Sequence, residues 1–169
     1  MDVEDHEVQN RPSVSKNGLQ TLREALGLIN GQLSDSTAWS DSVLIAIDFE
    51  NTGSIRDGFL SSTDCQVGLA ILDFRDLRRD IRRLGRLIKT HNFVTGSPSY
   101  IKRASTKFIF GKSIVIKKPV GILKRIESVI PRDRHVILVG HSVRNELEML
   151  RILGFKFESS TSAIIDPTG

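Results

Sequence analysis

Residues 43–53 read Val-Leu-Ile-Ala-Ile-Asp-Phe-Glu-Asn-Thr-Gly. An apolar run, Val43–Ile47, leads straight into two acids, and that junction governs how the rest of the chain is read. Val, Ile and Phe at this density are what a strand buried in a core requires. Alternate residues of a strand share a face, so Asp48 and Glu50 point one way and Phe49 the other. Two ionised carboxylates beside an apolar sheet repel each other and lose hydration unless a cation lies between them. Mg²⁺ or Mn²⁺ fills that need, because hard cations bind oxygen and keep phosphate oxygens in their shell. Two such ions activate a water and stabilise the leaving oxygen in phosphodiester cleavage. An Asp-x-Glu after a strand also has an ordinary structural reading, so the metal reading requires a third acid delivered to the same place.

Glu146 is the candidate for that third acid. His135–Gly140 reads as a buried strand that runs directly into a helix over 143–153, with apolar residues at 143, 147, 150 and 153 and Gly154 as the stop. Glu146 falls about one turn into that helix, at the edge of its buried side. Glu148 falls on the opposite, solvated side.

Around these two elements the chain reads as an α/β domain. Residues 65–74 form a second buried strand, antiparallel to the first, and residues 91–95 a third. Residues 76–89 have helical spacing despite Gly85, residues 96–118 read as irregular and basic, and Pro119 opens a helix that Pro131 ends. Thr161–Asp166 begins a last strand. Hairpin-joined strands followed by β-α-β-α-β predict a mixed sheet with helices packed on it. Upstream, residues 19–29 carry helical spacing, whereas residues 1–16 are polar and without period, the composition of a disordered segment. The division predicted is a polar segment with one amphipathic helix over 1–40 and the α/β domain over 41–169.

The 169 residues suit one domain. No apolar run approaches the roughly 18–20 residues of a membrane span, and the acidic start, Met1-Asp2-Val3-Glu4-Asp5, is not a secretory signal. Cys65 is the sole cysteine, so no internal disulfide forms and a reducing intracellular compartment, cytoplasm or nucleus, is expected. Residues 75–134 hold 17 of the 24 Lys and Arg and only four of the 20 acids, a net charge of +13 against −9 elsewhere. Such a block fits either a phosphate-binding surface or a set of solvated faces. Trp39, Phe93 and Tyr100 suit base stacking or plain packing, and Cys65 reads as a small core residue.

Asp-Phe-Glu-Asn-Thr-Gly (48–53) resembles the first motif, D-x-E-T-T-G, of the DEDD 3′–5′ exonuclease superfamily. Gly140-His141 followed by Glu146 resembles the second motif, and residues 65–73 resemble the second strand of that fold. The basic insert with Phe108-Ile-Phe-Gly111, together with residues 139–155, is similar to a fungal branch. That branch includes the exonuclease of the quelling pathway and the Gfd proteins linked to mRNA export.

The resemblance implies an RNase H-like fold with a five-stranded mixed sheet flanked by helices. It implies Asp48, Glu50 and Glu146 as catalytic metal ligands for two Mg²⁺ or Mn²⁺ ions. Asn51, Thr52 and Gly53 then cradle the terminal nucleotide, with Gly53 letting the backbone approach it closely. The partner implied is single-stranded nucleic acid, RNA favoured, with no membrane and with residues 1–40 open to a protein partner.

The pattern is departed from twice. Glu146 stands where the family usually has Asp, which displaces the carboxylate by about one methylene. The last motif, a His and an Asp five residues apart on a C-terminal helix, has no counterpart; Asp166 matches the strand end before it and is not counted as a ligand. The domain is therefore expected to be truncated, lacking a fourth ligand and general base. A catalytically inactive nucleic-acid-binding or scaffold protein, associated with mRNA export or RNA silencing, is the alternative to the exonuclease.

Overall fold

The computed structural model describes residues 18–25, 41–79, 84–157 and 161–166. In chain order the elements begin with α1 (Gly18–Ala25), β1 (Ser42–Glu50), α2 (Thr52–Arg56), β2 (Cys65–Asp73) and α3 (Phe74–Arg79). Next come α4 (Leu84–Leu87), β3 (Ile88–Thr95), α5 (Pro98–Lys107) and β4 (Ser113–Val115). α6 (Gly121–Val129), β5 (His135–Val139), α7 (Arg144–Ile152) and β6 (Thr161–Ile165) follow. The strands make one sheet in the order β4-β3-β2-β1-β5-β6. β1, β2 and β3 are antiparallel neighbours, while β4 joins β3, and β5 and β6 extend from β1, in parallel.

The predicted α/β mixed sheet is present with one strand more than expected. β4 is a three-residue edge inside the stretch read as irregular, and that same stretch contains α5. The helix read over 76–89 is instead α3, which starts at Phe74, and the single turn α4, with β3 already under way at Ile88. The expected disorder over 1–16 and the helical reading beyond Ala25 lie outside the described residues. Among the described residues no helix is long and apolar enough to cross a membrane.

The strand periodicity divides the core between two faces. Val43, Ile45, Ile47 and Phe49 of β1 point to the main core, with Ile55, Ile122, Ile126, Leu147 and Leu150 from α2, α6 and α7. Burying such side chains supplies about 25 cal/mol per Å² of apolar surface, the main stabilising contribution of the fold. On the other face Phe74, Ile137 and Ile165 form a second cluster with Leu22 of α1 and Leu77 of α3. α1 approaches closely enough that a Cβ on Gly18 would lie 2.6 Å from the Asp166 carbonyl oxygen, so that position has no room for a side chain. α5 covers the same face farther along, through Tyr100 and Ala104 against Val94. Between these coverings the β1 surface is open: Ala46, Asp48 and Glu50 are all exposed.

Candidate metal and nucleic-acid site

The site lies where β1 outruns its neighbour. β5 pairs with β1 only from Ser42 to Ala46, so Ile47–Glu50 extend past it. α7 fills the side left open. The turn that launches α7 is held at three points: Gly140 N–H donates to the Ile165 carbonyl at 3.3 Å, Val143 N–H to Asp166 Oδ2 at 3.1 Å, and Asn145 N–H to the Ser142 carbonyl at 3.1 Å. Ser142 adopts a left-handed conformation with φ 52°. Asp166 thus fastens the turn to the end of β6.

This geometry drives Glu146 into the protein at 5 % exposure. Burial pushes its carboxyl pKa up, and the nearby charge of Asp48 acts in the same direction. The backbone N–H groups of Glu146 and Phe49 and the Asn145 side chain partly oppose that rise. Its Oε2 is buried without a hydrogen-bond partner. A buried carboxylate oxygen left unpaired costs on the order of 1–3 kcal/mol, which a bound cation would relieve.

Asp48 projects from the open face. Directly across β2 stands Gly68, so no side chain crowds it on that strand, and beyond lies Asn92 of β3. Asn92 is fully buried and donates from Nδ2 to Ser113 Oγ at 2.7 Å. Glu50 lies one repeat farther along β1, opposite Gln66, and lines a cavity of about 510 Å³ under α5. The structure therefore places Glu146 beside Asp48 and Glu50 toward α5. Among the described residues no group of three His, Cys, Asp or Glu side chains stands ready to hold a metal ion. The donors present, hard carboxylate oxygens with one buried and unpartnered, are of the chemistry that suits Mg²⁺ or Mn²⁺.

Asn51 has φ 59°, the left-handed region that Asn tolerates better than most residues, and this conformation turns the chain from β1 into α2. Thr52 Oγ1 accepts from Arg56 Nη1 at 3.2 Å. Gly53 has nothing within 4 Å of where a Cβ would stand, so no protein neighbour demands a glycine there.

Glu148, expected to be merely solvated, is exposed but paired. Arg56 donates from Nε and Nη2 to its two carboxylate oxygens at 3.3 and 3.2 Å, and from Nη2 to Asn145 Oδ1 at 2.6 Å. The residues after Asp48 and Glu50 are thereby tied to the helix that carries Glu146. No sequence pattern announced this link across 92 positions.

The remaining candidates divide cleanly. His141 is exposed at the turn. Cys65 is fully buried and its thiol is pushed up to about 12 by that burial, so it is a core residue. Phe93 is buried in the main core, and Trp39 lies outside the described residues. The basic block is not one surface: Arg134 and Arg75 are held in ion pairs, whereas Arg103 and Lys107 of α5 are exposed at the cavity.

A mixed α/β sheet of this order, with helices on both faces, is RNase H-like, and the match that follows supports the DEDD exonuclease superfamily. Residues 43–168 match the family model described as DNA polymerase III subunit epsilon-like, C-terminal domain, and the chain belongs to that family. A search of curated proteins matches none of them.

Proposed function

We propose that this protein trims single-stranded nucleic acid, RNA in preference to DNA, from its 3′ end by metal-dependent phosphodiester hydrolysis. The observation that carries the reading is Glu146, buried at the end of β1 beside Asp48 with one oxygen unpartnered. Asp48, Glu146 and Glu50 would hold the Mg²⁺ or Mn²⁺ ions. Bound there, the ions supply an activated water and charge neutralisation at the scissile phosphate. The chain's own contribution is positional: the open surface at Asp48 and Gly68 admits the strand, and Asn51, Thr52 and Gly53 meet its terminal nucleotide. The open space over Gly53 supports that assignment. The resemblance of the insert and of residues 139–155 supports placement in the fungal branch, and with it a cytoplasmic or nuclear setting and a protein partner for residues 1–40.

That no three acids among the described residues form a group ready to hold a metal ion favours a second reading, a protein that binds nucleic acid without turnover. Incubation of the full chain with 5′-labelled single-stranded RNA and DNA in Mg²⁺ or Mn²⁺ distinguishes the two. A 3′-shortening ladder that Asp48→Asn abolishes supports the nuclease. The same ladder from Asp48→Asn overturns it, and retained, salt-sensitive binding with no ladder from either chain establishes the second reading.

A further inference from the structure

We infer that the free edge of β4 docks an extended acidic peptide of a partner protein, added to the sheet as one more strand. β4 is the outermost strand, separated from β1 by β3 and β2, and its pairing with β3 decides which of its backbone groups are already used. Ile116 N–H donates to the Val94 carbonyl at 2.8 Å, so Ile114 and Ile116 turn their backbone groups toward β3. Successive residues of a strand alternate in this respect, and the N–H and C=O groups of Ser113 and Val115 therefore point away from the sheet. Such an edge is a template for a further strand.

The register sets Ile114 beside Phe93, on the face of the main core, and Val115 beside Val94, on the face of α5. Neither is covered: Ile114 is 39 % exposed and Val115 51 %. A strand of β-branched residues laid along the edge would cover both. Lysines bracket this apolar stretch, Lys112 before it and Lys117 and Lys118 after it. All three are exposed, and none forms an ion pair among the described residues. No Asp or Glu occurs between Asp80 and Glu127, so that stretch of chain supplies them no counter-charge.

These charges select the occupant. Two copies paired edge to edge about a twofold axis would set Lys112 of each against Lys117 of the other, and like charges directly opposite are destabilising. A nucleic-acid backbone would meet the lysines, but its phosphates only accept hydrogen bonds. They would leave the outward carbonyls and the two apolar side chains unmet. An extended peptide with a short β-branched centre and Asp or Glu at both ends satisfies ladder, apolar surface and charge together.

The test is fluorescence anisotropy of a labelled peptide, Asp-Glu-Val-Thr-Val-Ile-Asp-Glu, titrated with the full chain at low salt. Saturable binding is expected. Val115→Pro removes only an outward N–H, which an edge strand tolerates, and is expected to weaken binding about ten-fold. The same peptide N-methylated through its centre cannot complete the ladder and should fail likewise. Lys117→Glu with Lys118→Glu is expected to weaken binding about ten-fold and flatten its salt dependence. The substituted side chains are exposed, and unchanged far-UV circular dichroism checks that the variants fold. Absence of saturable binding to the parent chain overturns the proposal, as does equal binding by Val115→Pro and by the N-methylated peptide. Three further results would overturn it by naming another occupant. A dimer in gel filtration that Val115→Pro converts to monomer assigns the edge to a second copy. A single-stranded oligonucleotide that loses affinity in Val115→Pro, where the peptide does not, assigns it to nucleic acid. A peptide of residues 1–9 that binds more tightly than the designed one assigns it to the acidic start of this chain.

Discussion

The two ends of β1 carry acids, and the protein treats them in opposite ways. At the start of the strand Arg134, with only 9 % of its side chain exposed, forks onto Asp73 at 2.8 and 2.9 Å and reaches Asp41 Oδ1 at 2.9 Å. Arg134 Nε also donates to the Asp41 carbonyl at 3.0 Å, and Arg75 pairs with Asp41. One guanidinium thus ties together the end of β2 and the starts of β1 and β5. At the other end Asp48, Glu50 and Glu146 form no ion pair among the described residues. Hydrogen bonding to Arg134, with the charges of Arg134 and Arg75, holds Asp73 below the usual carboxylate range, whereas burial pushes Glu146 above it. The same residue types therefore do structural work where a cation is built in and are left available where none is. Acids kept unpaired at one end of a well-paired sheet mark the end where function resides.

The largest effect that would sharpen this contrast is on chemistry. Asp48→Asn is expected to lower 3′-end hydrolysis about a thousand-fold, since metal ions contribute several kcal/mol to stabilising the transition state. Because Asp48 is exposed, the thermal midpoint without metal should stay near that of the parent, and calorimetry alongside the assay checks both halves.

Next comes the paired end. Arg134→Met strands Asp73, leaves Asp41 with Arg75 alone, and is expected to destabilise the fold by about 3 kcal/mol, read from urea unfolding at neutral pH. The pH dependence has a definite sign. With its folded pKa lowered, Asp73 contributes stability above about pH 4, and that contribution is lost as pH falls through the folded value. The Arg134→Met variant should lack this portion of the acid transition.

Glu146→Gln should act in the opposite sense. Without metal, removing a buried, underpaired charge is expected to stabilise the protein by about 1 kcal/mol at pH 7, while abolishing hydrolysis. The raised pKa gives the parent chain added stability that is fully present below about pH 4.3 and is lost as pH rises through the folded value. Unfolding curves between pH 4 and 7 should show that slope in the parent and not in Glu146→Gln. The smallest stability effect belongs to Arg56→Ala. Its partner Glu148 is exposed, so the unfolding midpoint should barely move. Hydrolysis should still fall, because α2 and α7 lose the tie that sets Glu146 relative to β1.

How much of this was legible in the sequence depended on whether a feature is local. β1, β2, β5 and α7 announce themselves because each buries a regular apolar pattern and ends on a recognisable residue; Gly154, with φ 87°, closes α7 as its position suggested. Glu146 was placed at the buried edge by the spacing of Val143, Leu147 and Leu150, and its burial follows. α5 was missed because only Tyr100 and Ala104 of its ten residues are buried, too few for a period, although Ser97-Pro98 was a start signal in plain view. β4 is three residues on an edge, shaped by pairing with β3 rather than by its own composition. The Arg134 fork, the Arg56 tie and the α5 cavity join positions far apart in the chain, and no local pattern encodes them. The turn of Glu50 toward that cavity escaped notice for the same reason, since alternation fixes a face and not a neighbour.

The most direct test of the contrast is a Mn²⁺ titration of the full chain, followed by the electron paramagnetic resonance signal of the free ion, with Asp48→Asn in parallel. Saturable loss of free Mn²⁺ in the parent, sharply weakened in Asp48→Asn, is the result expected if the unpaired end awaits a cation. Mn²⁺ that stays free with the parent chain, or that binds equally to Asp48→Asn, would contradict it.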